Sequence, residues 1–307
     1  MAKNTSSSVV MHERDIQKTS KLQKVTGILG NTMRYLFLIA VAFVVLFPFY
    51  WMIISSLKTL TEYKLSVPTF WPQEIMWGNY AEAFSAANLG TLFRNTVIVG
   101  VISTILSLVI TVLTAFCFAR LEFAGKGVLF AGLLATMMIP GELFTITNYE
   151  TISAFGWMNN ADAVTEFSKL IVPFLVSVFY VYLLRQSFMQ IPNELYLAAK
   201  VDGTSDIKYL WKVMIPLAAP TLISITILKM MGAWNSYMWP NLVTLDKVNH
   251  QLITNGLRNA FTDATSGDTN FPVQMAAVVV VSIPLFLVFI FFRKYIMKGV
   301  SRSGIKG

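Results

Sequence analysis

Long uncharged stretches separated by short polar ones set the pattern of this chain, and they predict helices of membrane length. Residues 35–57 form the first, twenty-three residues without a charge. At about 1.5 Å per helical residue such a run crosses a hydrocarbon layer about 30 Å thick. Residues 95–119 form the second, twenty-five residues long. Between them lie Pro68, Trp71, Pro72, Trp77 and Tyr80, and such aromatics suit a membrane–water interface. The third run starts after Lys126 and meets Pro140, Gly141 and Glu142 before continuing to Tyr149, which predicts a bent or broken helix. The fourth, 170–184, is short unless Lys169 and Arg185 at its ends snorkel outward to lengthen it. The fifth begins near Leu217 and reaches Trp239 with Lys229 inside it; the sixth covers 269–292 with cations crowded behind it. The expected fold class is all-α, a polytopic membrane protein with six transmembrane helices.

Residues 191–220 depart from this pattern. Ile207, Leu210, Trp211 and Met214 recur at i, i+3, i+4 and i+7 while Asp206, Lys208 and Lys212 fall elsewhere, the signature of an amphipathic helix. Leu195, Ala198 and Ala199 give a shorter stripe behind Pro192, which suits a first helical position. Asp202-Gly203 separates the two, because glycine accepts the positive φ that ends one helix and Thr204 or Ser205 can cap the next. The segment reads as helix, glycine turn, helix, closed by Pro216.

Composition agrees with a membrane location: 55% of residues are hydrophobic and 13% charged, with a mean hydropathy of +0.60, far from a soluble domain. The net charge of +8 reads as a topology signal rather than a nucleic-acid surface. Seventeen of the 24 Lys and Arg fall on one side of the six spans, in residues 1–34, 119–126, 185–216 and beyond 292; six fall on the other, and Lys229 lies within a span. The positive-inside rule then places both termini and the 191–216 loop in the cytoplasm. The organisation expected is a tail over 1–34, a six-span region over 35–298 and a tail over 299–307. The first tail is polar, and either disorder or a short surface helix near Ile28 fits it. No apolar leader core precedes residue 35, which argues against a cleaved signal peptide.

Chemistry is sparse. Cys117 is the one cysteine and sits in an apolar run, while His12 and His250 are the two histidines, so neither a disulfide framework, a metal site nor a histidine-based triad is expected. No GxxxxGK[ST] loop is present, so the chain holds no such cradle for ATP. A lysine at a helix centre costs about 2.5–3.5 kcal/mol on insertion scales and faces a partner or a cavity. Lys229 and Glu142 are therefore candidates for a substrate path, or for a buried pair and a solvated helix end. Trp234 with Asn235, and Asn148 with Tyr149, each join an aromatic face to an amide and are further candidates. An interfacial tryptophan with a terminal asparagine fits the first pair as well.

The run Glu194, Ala198-Ala199, Asp202-Gly203, Ile215-Pro216-Leu217 and Pro220 resembles the EAA loop of ABC importer permeases, in particular the maltose-type carbohydrate family. Other pieces agree in order: Phe93-Arg94-Asn95, Ala119-Arg120-Leu121, Met138-Ile139-Pro140-Gly141, Leu183-Leu184-Arg185-Gln186, Trp234-Asn235 and Gly304-Ile305-Lys306-Gly307. The resemblance implies a type I importer permease subunit in the cytoplasmic membrane of a prokaryote, carrying a sugar or oligosaccharide. It implies a second homologous permease, an ABC ATPase that binds ATP and Mg²⁺, and an extracytoplasmic solute-binding protein. This chain would carry no cofactor and catalyse no reaction itself. The loop, with Glu194, Leu197, Ala198, Ala199, Asp202, Gly203 and Pro216, would dock on the ATPase and move in a rigid-body switch. Leu197 stands where the family has a glutamate before the two alanines; Glu194, one turn earlier on nearly the same face, is the candidate replacement. A stand-alone secondary transporter or channel, with the loop resting on the membrane, is the alternative from another class. Such transporters often show paired broken helices, and the one evident break, near Pro140, has no counterpart in the other half. A permease for a non-sugar solute is a further alternative.

Overall fold

The computed structural model describes the backbone of residues 4–257, 260–261 and 269–301, and within these the side chains from residue 30 to 294. The C-terminal 304–307 motif lies outside the described residues. The described elements are all helices. α1 (Asn4–Ser56) carries the first span, Gly30–Ser56. Its backbone is helical back to Asn4, so the tail continues the span's own helix instead of forming a separate one near Ile28.

The next connection is ordered by buried polar groups as well as by apolar packing of Ala83 and Ala87 against the last helix. It contains α2 (Leu60–Tyr63) and α3 (Gly78–Ala86). Lys58, buried, donates to the Thr69 carbonyl and lies 4.7 Å from the Trp51 ring centre. Asn79 donates to the carbonyls of Ser56 and Lys58, each at 2.9 Å, capping the end of α1.

α4 (Leu89–Arg120) is the axis of the molecule: 44% of its apolar window is buried, against 6% for the α1 span and 11% for the last span. α8 and α12 flank it, and the rim helices turn their apolar sides outward, as membrane helices do. α5 (Lys126–Thr136) and α6 (Phe144–Ala154) form the third span with an 83° bend between them. The first half stops at Thr136, and Pro140 is the N-cap of a 3₁₀ turn, Gly141–Leu143, that starts the second.

The fourth span corrects the sequence reading. In place of one short uninterrupted helix over 170–184 there is a bent pair: α7 (Ala163–Ile171), prolonged by a 3₁₀ turn Val172–Phe174, then α8 (Val178–Met189), at 54°. Pro173 lacks the N–H that would continue the helix, and the Ser177 side chain caps α8 by accepting from the Tyr180 N–H. Lys169 does not snorkel. It is fully buried and pairs with Glu166 at 2.9 Å. Glu166 Oε1 also accepts the Leu245 N–H at 3.1 Å, and the Lys169 carbonyl accepts from the Trp239 indole at 3.0 Å.

α9 (Asn193–Val201), α10 (Asp206–Tyr209) and α11 (Ile215–Leu217) build the loop, with a π-helical turn Leu210–Met214 joining the last two. Pro192 is the N-cap of α9, not its first helical residue. α12 (Ala219–Trp234) then turns by 80° into the bundle. The fifth run does not stay helical to Trp239: α12 stops at Trp234 and α13 (Met238–Val243) starts anew, followed by α14 (Ile253–Leu257) and α15 (Phe271–Ser301). Counting each bent pair as one gives six membrane-crossing units.

Candidate functional site

The loop is held to the bundle by two arginines at its approach. Near the end of α4, the Arg120 guanidinium donates to the carbonyls of Phe188, in the last turn of α8, and Ile191, just past it. Near the end of α8, Arg185 Nε donates to the Phe118 carbonyl at 3.1 Å and its guanidinium lies 4.0 Å from the Phe130 ring centre. Each cation thus satisfies the orphan carbonyls of the other helix, where the dipole favours positive charge.

Beyond this clasp, α9 ends in a Schellman turn. Thr204 N–H bonds the Ala199 carbonyl at 2.8 Å and Gly203 N–H bonds the Lys200 carbonyl at 3.0 Å, with Gly203 at φ +70°. Ser205 Oγ then caps α10 by accepting from the Lys208 N–H. Asp206 closes the angle between the helices, accepting from Tyr196 Oη at 2.8 Å and pairing with Lys200 at 2.7 Å. The Lys200 contact first, then Tyr196, holds the Asp206 carboxyl below its ordinary value. That contribution is therefore present above the usual aspartate value of 3.8 and is lost as pH falls through the lower folded value.

The amphipathic stripe read from the sequence is split in the structure. Leu210 and Met214 are 0% exposed and join Tyr209, Leu184, Phe188 and Phe116 in a core beneath the loop. Ile207 is 57% and Trp211 63% exposed. The π-turn is the physical reason. Each residue in it advances about 80° instead of about 100° around the axis, which carries Met214 round to the side of Tyr209 and Leu210. Ile207 and Trp211 are left together on the open side. Leu195, Leu197 and Val201 of α9 are also exposed, as are Glu194, Ala198, Asp202, Gly203 and Pro216, with Ala199 half-buried. The loop residues singled out from the sequence therefore lie on one accessible helix–turn–helix, anchored through its other face.

Within the bundle the candidate substrate-path residues separate. Lys229 lines a cavity of about 280 Å³ together with Ser103, Phe174, Tyr180, Ser236 and Trp239, and its ammonium donates to the Phe174 carbonyl. Trp234 and Asn235 line a second cavity of about 310 Å³ with Thr254, Gln274 and Ser282. Glu142, Asn148 and Tyr149 line neither; Glu142 and Tyr149 are exposed on the third span. Lys229 and Glu142 are not brought together. Among the described residues no cluster of three or more His, Cys, Asp or Glu is placed to hold a metal ion.

Sequence reasoning missed the reciprocal arginines as a unit, the Glu166–Lys169 pair, and Tyr180 and Trp239 as cavity walls. For the pair a local signal existed: Asp162 as a helix cap and opposite charges at i, i+3 in front of Pro173. The arginine clasp joins residues far apart in sequence and carries no local signal.

A bundle of broken, membrane-length helices around one buried axis, with a helical loop anchored at its base, defines a polytopic transport component of a membrane. Residues 16–302 match the model of a family described as the inner membrane component of binding-protein-dependent transport systems, and the chain belongs to that family. It is accordingly a transport subunit and not an enzyme, and it works with an ATPase and a solute-binding protein. The chain is 28% identical to the "Arabinooligosaccharides transport system permease protein AraQ" of Halalkalibacterium halodurans, over 87% of this chain and 93% of that one. It is 30% identical to the "Diacetylchitobiose uptake system permease protein NgcG" of Streptomyces coelicolor, over 85% and 84%. Among solved structures, a chain from a bacterial ABC transporter involved in the import of the acidic polysaccharide alginate superposes with a TM-score of 0.74 at 23% identity, covering 89% of this chain and 96% of that one. At that identity the likeness shows the fold alone.

Proposed function

We propose that this chain is the permease subunit of an ATP-driven importer that carries a sugar or oligosaccharide across the cytoplasmic membrane. The solutes in the names of its relatives, arabinooligosaccharides and diacetylchitobiose, support the saccharide. One observation carries the coupling mechanism: the loop buries Tyr209, Leu210 and Met214 in the bundle while leaving Ile207, Trp211, Leu197 and Val201 open. An apolar helix face of that kind fits a groove on another protein, and the partner is the ATPase, which holds the ATP and Mg²⁺. In this reading the loop and both termini are cytoplasmic, and a second, homologous permease completes the pathway. Closure of the ATPases pushes on the turn at Gly203, and the Arg120–Arg185 clasp passes the push to α4 and α8 as a rigid-body motion. Leu197 removes an ion pair at its position, and Glu194 takes over the charged contact.

The test is co-purification with the importer's ATPase. Trp211→Glu is expected to abolish the complex, and Glu194→Ala to lower substrate-stimulated ATPase activity with the complex intact. Unchanged stimulation in Glu194→Ala would refute that role for Glu194. Substrate uptake by this chain alone in proteoliposomes would instead make it a secondary transporter or channel.

A further inference from the structure

Lys229 is the one charged side chain lining the 280 Å³ cavity, and among the described residues no carboxylate pairs with it. The nearby buried pair, Glu166 and Lys169, is mutually neutralised. It stands behind the wall, where the Lys169 carbonyl anchors the Trp239 indole. The break at Pro173 frees the Phe174 carbonyl, and the Lys229 ammonium donates to it; the remaining two of its three donors are unassigned. A cation inside a membrane is costly unless something compensates it. Around it stand the hydroxyls of Ser103, Tyr180 and Ser236, and the rings of Phe174 and Trp239, locked edge to face at 5.4 Å.

We infer that the cavity receives the anionic group of an acidic saccharide, so that the cargo is a sugar bearing a carboxylate, phosphate or sulfate rather than a neutral one. This rests on the saccharide-permease reading above. The cavity, at about 280 Å³, lies just below the usual range of small-molecule pockets, about 300–1,000 Å³, and suits one sugar unit with its charge. A charged, desolvated contact discriminates more strongly than a methylene does. The Lys229 ammonium completes its hydrogen bonds on the anion, the hydroxyls take the ring substituents, and Phe174 and Trp239 wall the ring.

The experiment uses the complete importer, with binding protein and ATPase, in proteoliposomes and offers it matched pairs: a disaccharide and its uronate, phosphate and sulfate counterparts. At least one acidic member is expected to enter tenfold or more faster than its neutral match, and the pair that does so identifies the anion. Lys229→Gln, which keeps a donor for the Phe174 carbonyl but no charge, is expected to raise KM for that member at least tenfold. Uptake of the neutral match should fall far less than that of the acidic member, so that the preference between them narrows at least tenfold. Lys229→Arg is expected to retain the preference. Preferred uptake of the neutral member, or equal loss of both in Lys229→Gln, overturns the inference and leaves Lys229 a cap on the broken helix. Loss of the second permease from the Lys229→Gln complex also overturns it, by assigning the charge to a subunit contact. Failure to take up any saccharide, with ATPase activity intact, refutes the saccharide reading itself and the inference with it.

Discussion

Gly203 and Lys169 show how much a single position can decide. At Gly203 a Cβ would meet no atom within 4 Å, so the whole cost of substitution lies in the backbone, about 1–2 kcal/mol for an L-residue in the left-handed region. Gly203→Val is expected to reduce recovery of the ATPase in detergent pull-downs by roughly tenfold, the equivalent of about 1.4 kcal/mol. Gly203→Asn should do so less, since asparagine visits that region more readily. The Glu166–Lys169 pair is a different case, with both side chains 0% exposed. Removing one partner strands a buried charge and costs about 3–5 kcal/mol. Glu166→Gln should therefore lower the melting temperature of the purified subunit markedly, and a second change, Lys169→Met, should restore most of it. Lys169 was misread from the sequence because a lysine beside an apolar run looks the same whether it snorkels or pairs. The distinction lies in the Leu245 N–H and the Asn160 carbonyl that surround the pair.

Helices α4 and α8 are joined at their ends by mutual capping, and this is where an element-level prediction belongs. Arg120→Gln is expected to loosen the approach to α9 and uncouple ATP hydrolysis from uptake. Arg185→Gln should do the same, and the double change should cost less than the sum of the two, as a double-mutant cycle would show. Of the elements, the long uncharged helices and the glycine turn were legible because each is written in one local period or one residue type. The break at Pro140 was legible for the same reason. The bend at Pro173 was hidden: the apolar run continues across it, and composition does not register a 54° change of direction. The split stripe was hidden by an assumption of constant period. Ile207, Leu210, Trp211 and Met214 share a face only on a regular α-helix, and the π-turn at 210–214 does not supply one.

Over the whole molecule, six crossing units put Ser205 and Val248 at opposite ends of the bundle, the first in the loop after α9 and the second in the segment after α13. With Cys117 replaced by serine, Ser205→Cys is expected to react with a membrane-impermeant maleimide only in inside-out vesicles, and Val248→Cys only in right-side-out ones. The reverse result would invert the orientation. The fold was readable from the sequence at this scale, whereas the site was readable only in part. The loop residues form one contiguous surface, but Lys229, Trp234 and Glu142 fall into separate places, since neighbours along a span need not share a wall.

The 83° break between α5 and α6 has one more consequence. Met137, Met138 and Ile139 are exposed there; their N–H groups bond back to the carbonyls of Leu134, Ala135 and Thr136, but a break leaves the carbonyls past the last helical turn without helical partners. Hydrocarbon cannot solvate those groups, and each one left bare costs several kcal/mol. A newly inserted chain thus carries a mark of being unassembled, which water or a second subunit must cover. In cells making this subunit alone, membrane quality-control proteases are expected to remove it several-fold faster than in cells making the full transporter, as a pulse-chase measurement would record. Equal half-lives would mean that the break is shielded within the chain itself.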